Sequence, residues 1–507
     1  MKLNRRQFIH AGGAAALAAT TACEQVPDAL LIGRRVPARG TGPFQVPTGE
    51  TPDLLTHALN RLTFGARPGD YERVRKLGAT EDEAFAAFLD EQLSPSAIDD
   101  PAAENAVRRF ETLAEPAGEL FEYQEKLLLA ELTRATLLRA VLSERQLYEV
   151  MVHFWSDHFN IDPSKGDCKW LKTADDREVI RAHALGSFPA LLRASALSPA
   201  MLWYLDGRVN RRANPADKPN ENYGRELLEL HTLGVHGGYT QRDVMEVARC
   251  LTGWTVRGTH QSKFGIGTVE FNPDQHDNGA KEVLGKIIPA IPAGVKRAEA
   301  EILGRNELNQ VLDLVALHPA TAKHLATKLC RRFIADEPPA AAVTAVADAF
   351  VRTRGAIGDT LRALFATAEF RDNRENRANK FKRPFHFIAS ALRATETATD
   401  APPALMEFLV RMGHAPFHYP TPDGYPEAAA PWMGTLLWRW NFGVALTEGK
   451  IGNAKLEADA VRKFFRGDEE LCAHFFGRKP SAEEIASVRA AGAATPVLLA
   501  SPGFQKC

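Results

Sequence analysis

The chain has 507 residues, of which 45% are apolar and 25% charged, with a formal net charge of −1. That length and apolar share suffice for a large buried core, while the near-neutral balance gives no bulk attraction to nucleic acid or to an anionic membrane. Past the amino-terminal segment no apolar run reaches the roughly 18 residues that a spanning helix requires, so a globular body is expected.

In chain order, Asn4-Arg5-Arg6-Gln7-Phe8-Ile9-His10 reads as a twin-arginine export signal, with Arg5 and Arg6 as the pair that the translocase recognises. Residues 11–22 form a modest apolar run, and no acidic residue precedes Glu24. The run is too short to span a membrane and fits the apolar part of a signal. Cys23 follows Thr20-Thr21-Ala22, which resembles a lipoprotein box with Thr in place of the usual Leu. Either Cys23 carries a lipid, the only route by which the chain would meet a membrane, or cleavage falls nearby, for example after Ala16-Leu17-Ala18. The twin-arginine route carries folded proteins, so the expected location is the periplasm or cell envelope. Residues 24–50 hold several Pro and Gly and read as a tether. Residues 51–507 are expected to form one large helical domain.

That domain opens with a helix signal. Thr51 can cap, Pro52 suits the first turn and Asp53 complements the positive dipole end. Leu54, Leu55, Ala58, Leu59 and Leu62 form the apolar stripe, and Gly65 can end it. Thr240 with Asp243 makes a near capping box, followed at helical spacing by Val244, Val247, Ala248 and Leu251. Residues 118–160, 176–206, 220–235, 307–334, 340–352, 357–371, 380–396, 402–412, 432–447 and 481–501 also read as helices. The expected fold is therefore mainly α, a multi-helix globular domain. The exception lies near 255–290, where Thr268-Val269-Glu270-Phe271 and Glu282-Val283-Leu284 suggest a small hairpin or an irregular excursion. Cys168, Cys250, Cys330, Cys472 and Cys507 match no zinc or redox spacing and read as buried thiols.

Four constellations can carry chemistry. In 153–160, His153 and Asp157 lie one helical turn apart, able to share a metal or to let the carboxylate orient the imidazole; an aromatic-rich core helix is the plain reading. In 220–234, Asn222, Glu226, Glu229 and Leu233 share a face. Two carboxylates one turn apart can bind a metal, although Leu228 stands three before His231, so the Glu-x-x-His pattern of di-metal bundles is absent. Arg225 can instead neutralise a carboxylate. In 274–281, His276 and Asp277 are either a base with its partner or a turn-forming cluster. An EF-hand is excluded because its twelfth position is Gly285. In 419–426, Pro-Asp-Gly signals a turn, and Trp432, Trp438 and Trp440 follow, as pocket lining or as packing against the core.

Taken together these stretches resemble domain-of-unknown-function family 1800. The resemblance rests on residues 220–234, on Gly238-Tyr239-Thr240-Gln241 and on Leu251-Thr252-Gly253-Trp254. It extends to 153–160, His276-Asp277, Lys328-Leu329-Cys330-Arg331-Arg332-Phe333 and 420–426, and covers about 51–507. It implies a bacterial, exported, largely helical protein of unassigned biochemical role. Such proteins are often encoded beside a second exported family similar to alkaline phosphatases and sulfatases, which suggests a partner. Gly503 departs from the family, where Glu is typical.

Two functions are compatible with these residues. One is a non-catalytic exported scaffold or accessory subunit for a co-encoded envelope enzyme. The alternative is a metal-dependent periplasmic hydrolase, in which His153, Asp157, Glu226, His231, His276 and Asp277 converge on a divalent metal that activates water.

Overall fold

Short apolar periodicities punctuated by Gly and Pro fold into packed helices in this computed structural model, which describes residues 44, 46–214, 216–258, 265–456, 461–491 and 493–507. Arg5, Arg6, Cys23 and most of the 24–50 tether lie outside the described residues. The fold is mainly α, from the Leu54–Leu62 helix to Pro502–Gln505. The strands of the described residues form two antiparallel hairpins. Trp254–Val256 pairs with Val269–Phe271, placing Trp254 opposite Phe271. Lys281–Val283 pairs with Lys286–Ile288. The two-residue turn of the second hairpin has φ of 50° at Leu284 and 76° at Gly285, both left-handed, as the twist of a tight hairpin demands.

Local signals hold, with shifts at the boundaries. The first helix is capped by Asp53, not Thr51: the Asp53 carboxylate accepts from the Thr56 amide at 2.8 Å. Asp53 is itself extended, so the helix begins only after it. The Thr240–Asp243 capping box forms in full.

Several expected long helices are broken. The 118–160 segment divides into Ala117–Leu120, Glu125–Leu142 and Gln146–His158. At the last break Asp100 accepts from Ser143 Oγ at 2.6 Å and from the Glu144 amide at 2.9 Å, drawing the backbone away from helical bonding. The 307–334 segment divides into Arg297–Ala316 and Pro319–Phe333, because Pro319 cannot continue a helix but suits the first turn of the next. Within 176–206, residues Asp176–Arg181 form a π-helical turn.

One contiguous cluster of buried hydrophobics runs from Leu54 to Phe504. Each buried Leu or Phe in it contributes about 1.5–3 kcal/mol, so any charged group within the cluster must be paired to be tolerated. All five described cysteines are buried and free. Burial pushes the Cys168 and Cys330 thiols up to about 12, so they act as small apolar side chains. No described helix is long and apolar enough to cross a membrane.

Candidate functional site

The Gln146–His158 helix places His153 and Asp157 on one face, with His153 Nδ1 3.7 Å from Asp157 Oδ2. His414, from the segment after the Pro403–Arg411 helix, joins them. One ligand atom from each of the three lies within 4.8 Å of the others, the one such group of three among the described residues. The Pro-Thr-Pro-Asp-Gly turn is strapped to this helix: Asn160 Nδ2 donates to the carbonyls of Tyr419 at 2.9 Å and Thr421 at 2.8 Å. Gly424 has φ of +73°, and a Cβ there would lie 2.0 Å from the Asp157 carbonyl oxygen. Only glycine allows so close an approach. His153 stacks on Phe385 at 4.7 Å and His414 on Trp432 at 4.9 Å, so Trp432 packs the core.

A guanidinium sits in the middle of this group. Arg383 donates to Asp157 Oδ2 at 2.7 Å and to His153 Nδ1 at 3.0 Å. It lies 3.3 Å from Glu427, which is also 3.6 Å from Arg332. Burial pushes Glu427 up, but Arg383 and Arg332 outweigh it and hold the carboxyl down to about 2. Burial, reinforced by Arg383, holds His153 well below the usual imidazole range. Because Nδ1 accepts from Arg383, the proton of this neutral ring belongs on Nε2. His414 Nδ1 accepts from the Phe385 amide at 3.2 Å, while its buried Nε2 has no partner. Two of the three ligand groups are thus already engaged by a fixed cation. The residues do not fit a metal ion as arranged, because a dication would meet Arg383 and Arg332 at close range.

Beside this group lies a cavity of about 20 Å³ lined by His153, Ser156, Asp157, Asp176 and Phe417, room for one water-sized occupant. Phe417 also lines an apolar groove of about 600 Å³ with Leu129, Met406 and Val410. Its φ of +66° is a strained conformation for a bulky residue.

The remaining sequence-derived candidates lie elsewhere. His231 is buried with both ring nitrogens unpartnered, and burial, then Lys328, holds it down to about 3. Its backbone carbonyl accepts from His158 Nε2 at 3.1 Å, and Lys328 donates to His158 Nδ1 at 2.9 Å. Burial holds Lys328 down to about 8 despite Asp157 and Glu427. Glu226 is half-buried on the Asn222–Glu229 helix, and burial, then Glu229, raises its carboxyl. Arg225 pairs with Glu221 at 2.9 Å.

His276 and Asp277 belong to a third network. His276 Nδ1 donates to the Thr252 carbonyl at 2.8 Å, and its Nε2 lies 3.3 Å from Glu307. Lys281 donates to both Glu307 oxygens at 2.7 and 2.8 Å. Asp277 pairs with Arg249 at 2.7 Å and with Arg212, and these bonds outweigh burial to hold its carboxyl well below the carboxylate range.

The six residues expected to converge therefore fall into separate groups: His153 and Asp157 share one, His276 and Asp277 another, and the two do not meet in a single metal-ligand set among the described residues. Sequence reasoning missed His414, Arg383 and Glu427. Arg383 had a visible signal: Lys382-Arg383-Pro384 leads directly into a wholly buried helix, where a charge must have a partner.

The family model described as "Protein of unknown function (DUF1800)" matches residues 57–506. No curated protein and no solved structure matches.

Proposed function

We propose that this chain, which belongs to the DUF1800 family, is a non-catalytic exported accessory subunit that docks a co-encoded exported enzyme resembling alkaline phosphatases or sulfatases. The observation that carries the reading is an apolar ladder left uncovered among the described residues. Met433, Leu436, Leu437 and Trp440 stand 60%, 50%, 66% and 43% exposed. They follow the spacing i, i+3, i+4, i+7 across the turn Ala430–Thr435 and the Leu436–Thr447 helix. No acidic residue falls between Glu427 and Glu448, and Arg439, the one cation there, is buried. Val410, on the Pro403–Arg411 helix that packs against the Leu436–Thr447 helix, is also exposed. Clustered Trp, Met and Leu on a monomer surface mark interaction sites.

The engagement of His153 and Asp157 by Arg383 supports the same reading, since a fixed cation already occupies Asp157 Oδ2 and His153 Nδ1. Export through Arg5-Arg6 and a lipid on Cys23 would place the ladder beside an envelope partner.

The test is co-expression of the full chain with the co-encoded protein. A stoichiometric complex is expected, lost in Leu437→Glu and Trp440→Glu variants whose melting temperatures stay unchanged. Absence of a complex overturns the proposal, as does binding of the ladder to phospholipid vesicles in place of the partner. A stoichiometric metal removed by Asp157→Ala, together with hydrolase activity, would favour the metal-dependent alternative built on His153, Asp157 and His414.

A further inference from the structure

Asp176, which lines the small cavity, also borders a second, unassigned cleft. Two adjoining clefts of about 480 and 240 Å³ share Arg139, Tyr148 and Arg181 in their walls. The Asp176–Arg181 π-helical turn forms one side. Its i→i+5 bonding brings residues five apart onto one face, so Asp176 and Arg181 both border the smaller cleft, with Arg177 beside them. Single π turns inside helices recur at functional sites.

Most charges around the clefts are satisfied by the protein. Arg181 forms a two-pronged pair with Glu149. Arg145 lies 3.1 Å from Glu104. Arg177 donates to the Leu113 carbonyl at 2.7 Å. Asp100 accepts from Ser143 and Glu144. Two groups are left over, one of each sign. Asp176 is only 2% exposed, yet its carboxylate makes no hydrogen bond or close ion pair with another described residue. The Arg139 guanidinium likewise makes none, and neither group is among the polar atoms sealed from solvent. Burial pushes the Asp176 carboxyl up against the pull of Arg181 and Arg139, and lowers Arg139. The two therefore feel one another across the cleft without joining.

We propose that this cleft binds a small zwitterion, its carboxylate on Arg139 and its ammonium on Asp176. A simple anion would answer Arg139 but leave Asp176 facing it. A simple cation would do the reverse. A ligand carrying both charges satisfies each pole and gains the strength of two charge-assisted hydrogen bonds. The apolar face of Tyr148, held by its hydroxyl on the Arg181 carbonyl at 2.7 Å, would lie against the carbon chain between them.

The test uses the full-length folded protein, titrated calorimetrically with glycine, β-alanine and γ-aminobutyrate, which separate the two charges by increasing lengths. One of the three is expected to bind at least tenfold more tightly than acetate or methylammonium. Arg139→Gln and Asp176→Asn should each weaken that binding at least tenfold while leaving the melting temperature of the free protein within about 2 °C, because neither removes a protein–protein pair. Equal binding of acetate, no binding by any of the three zwitterions, or binding that survives both substitutions would overturn the assignment. None of these outcomes bears on the apolar ladder, so the two proposals fail separately.

Discussion

Two polar regions of this protein, both bordering the same small cavity, use the same residue types to opposite ends. Around Asp157, every strong charge has a partner: Arg383 spans Asp157, His153 and Glu427, and Arg332 backs Glu427. Around Asp176, one carboxylate and one guanidinium stay unjoined in an accessible cleft. The contrast teaches that a buried Asp or His does not by itself indicate a site. What matters is whether the fold has already supplied its counter-charge. A saturated network fixes helix packing, whereas an unsaturated one has binding capacity in reserve.

The largest expected effect tests whether the buried imidazoles, with His153 and His414 of the saturated side among them, are neutral. Burial holds His231 down to about 3, and His324 and His474 down to about 4; His153 and His414 are likewise held well below the usual range. In the unfolded chain these rings take up protons below about pH 6.5, while the folded rings stay neutral. The unfolded state then binds more protons, and stability falls as pH falls, by about 1.4 kcal/mol per pH unit for each ring. Thermal melts at pH 7 and pH 5 should show a steep loss of melting temperature. A flat profile would mean the rings already carry charge.

Next in size, Arg383→Leu leaves Asp157 and Glu427 buried without their shared cation. The expected loss is about 4 kcal/mol in urea unfolding at pH 7. A loss below about 1 kcal/mol would show that the Asp157 side is not saturated by this residue. Gly424→Ala should cost about 2 kcal/mol, because the backbone there is left-handed and a methyl would meet the Asp157 carbonyl; calorimetry of the variant checks this. The smallest effect belongs to the open side. Asp176→Asn breaks no pair and removes a buried charge, so its unfolding free energy should match the parent within about 0.5 kcal/mol or exceed it. A large loss there would erase the contrast between the two sides.

Much of the fold was legible. The Thr240–Asp243 box, the Leu54–Leu62 stripe and the β excursion near 255–290 are local features, and each stands where the sequence put it. The breaks at Ser143 and Pro319 show the limit. Pro319 is a local signal that the long apolar pattern outweighed, while the break at Ser143 depends on Asp100, 43 residues away. Within the site, the His153–Asp157 pairing followed from helical spacing. His414 did not, because it reaches the pair from a different segment. Trp432 packs against the core as an aromatic near a turn commonly does, but Trp440, eight residues on, stays exposed, and nothing in their spacing separates the two. Gly503 is held to glycine by packing: a Cβ there would lie 2.8 Å from the Phe476 ring, so any larger residue at this position would require Phe476 to move.

The amino-acid sequence alone determined the helical class, the caps and turns, and the family, because these depend on neighbours within a turn or two and on strings of residues read in order. Only the tertiary structure decided which charges are neutralised. Arg383 meets Asp157 across 226 residues of chain, while Arg139 and Asp176, closer in sequence, end without joining. Burial makes a charge costly wherever it falls, but the partner that relieves it is chosen by how distant helices pack.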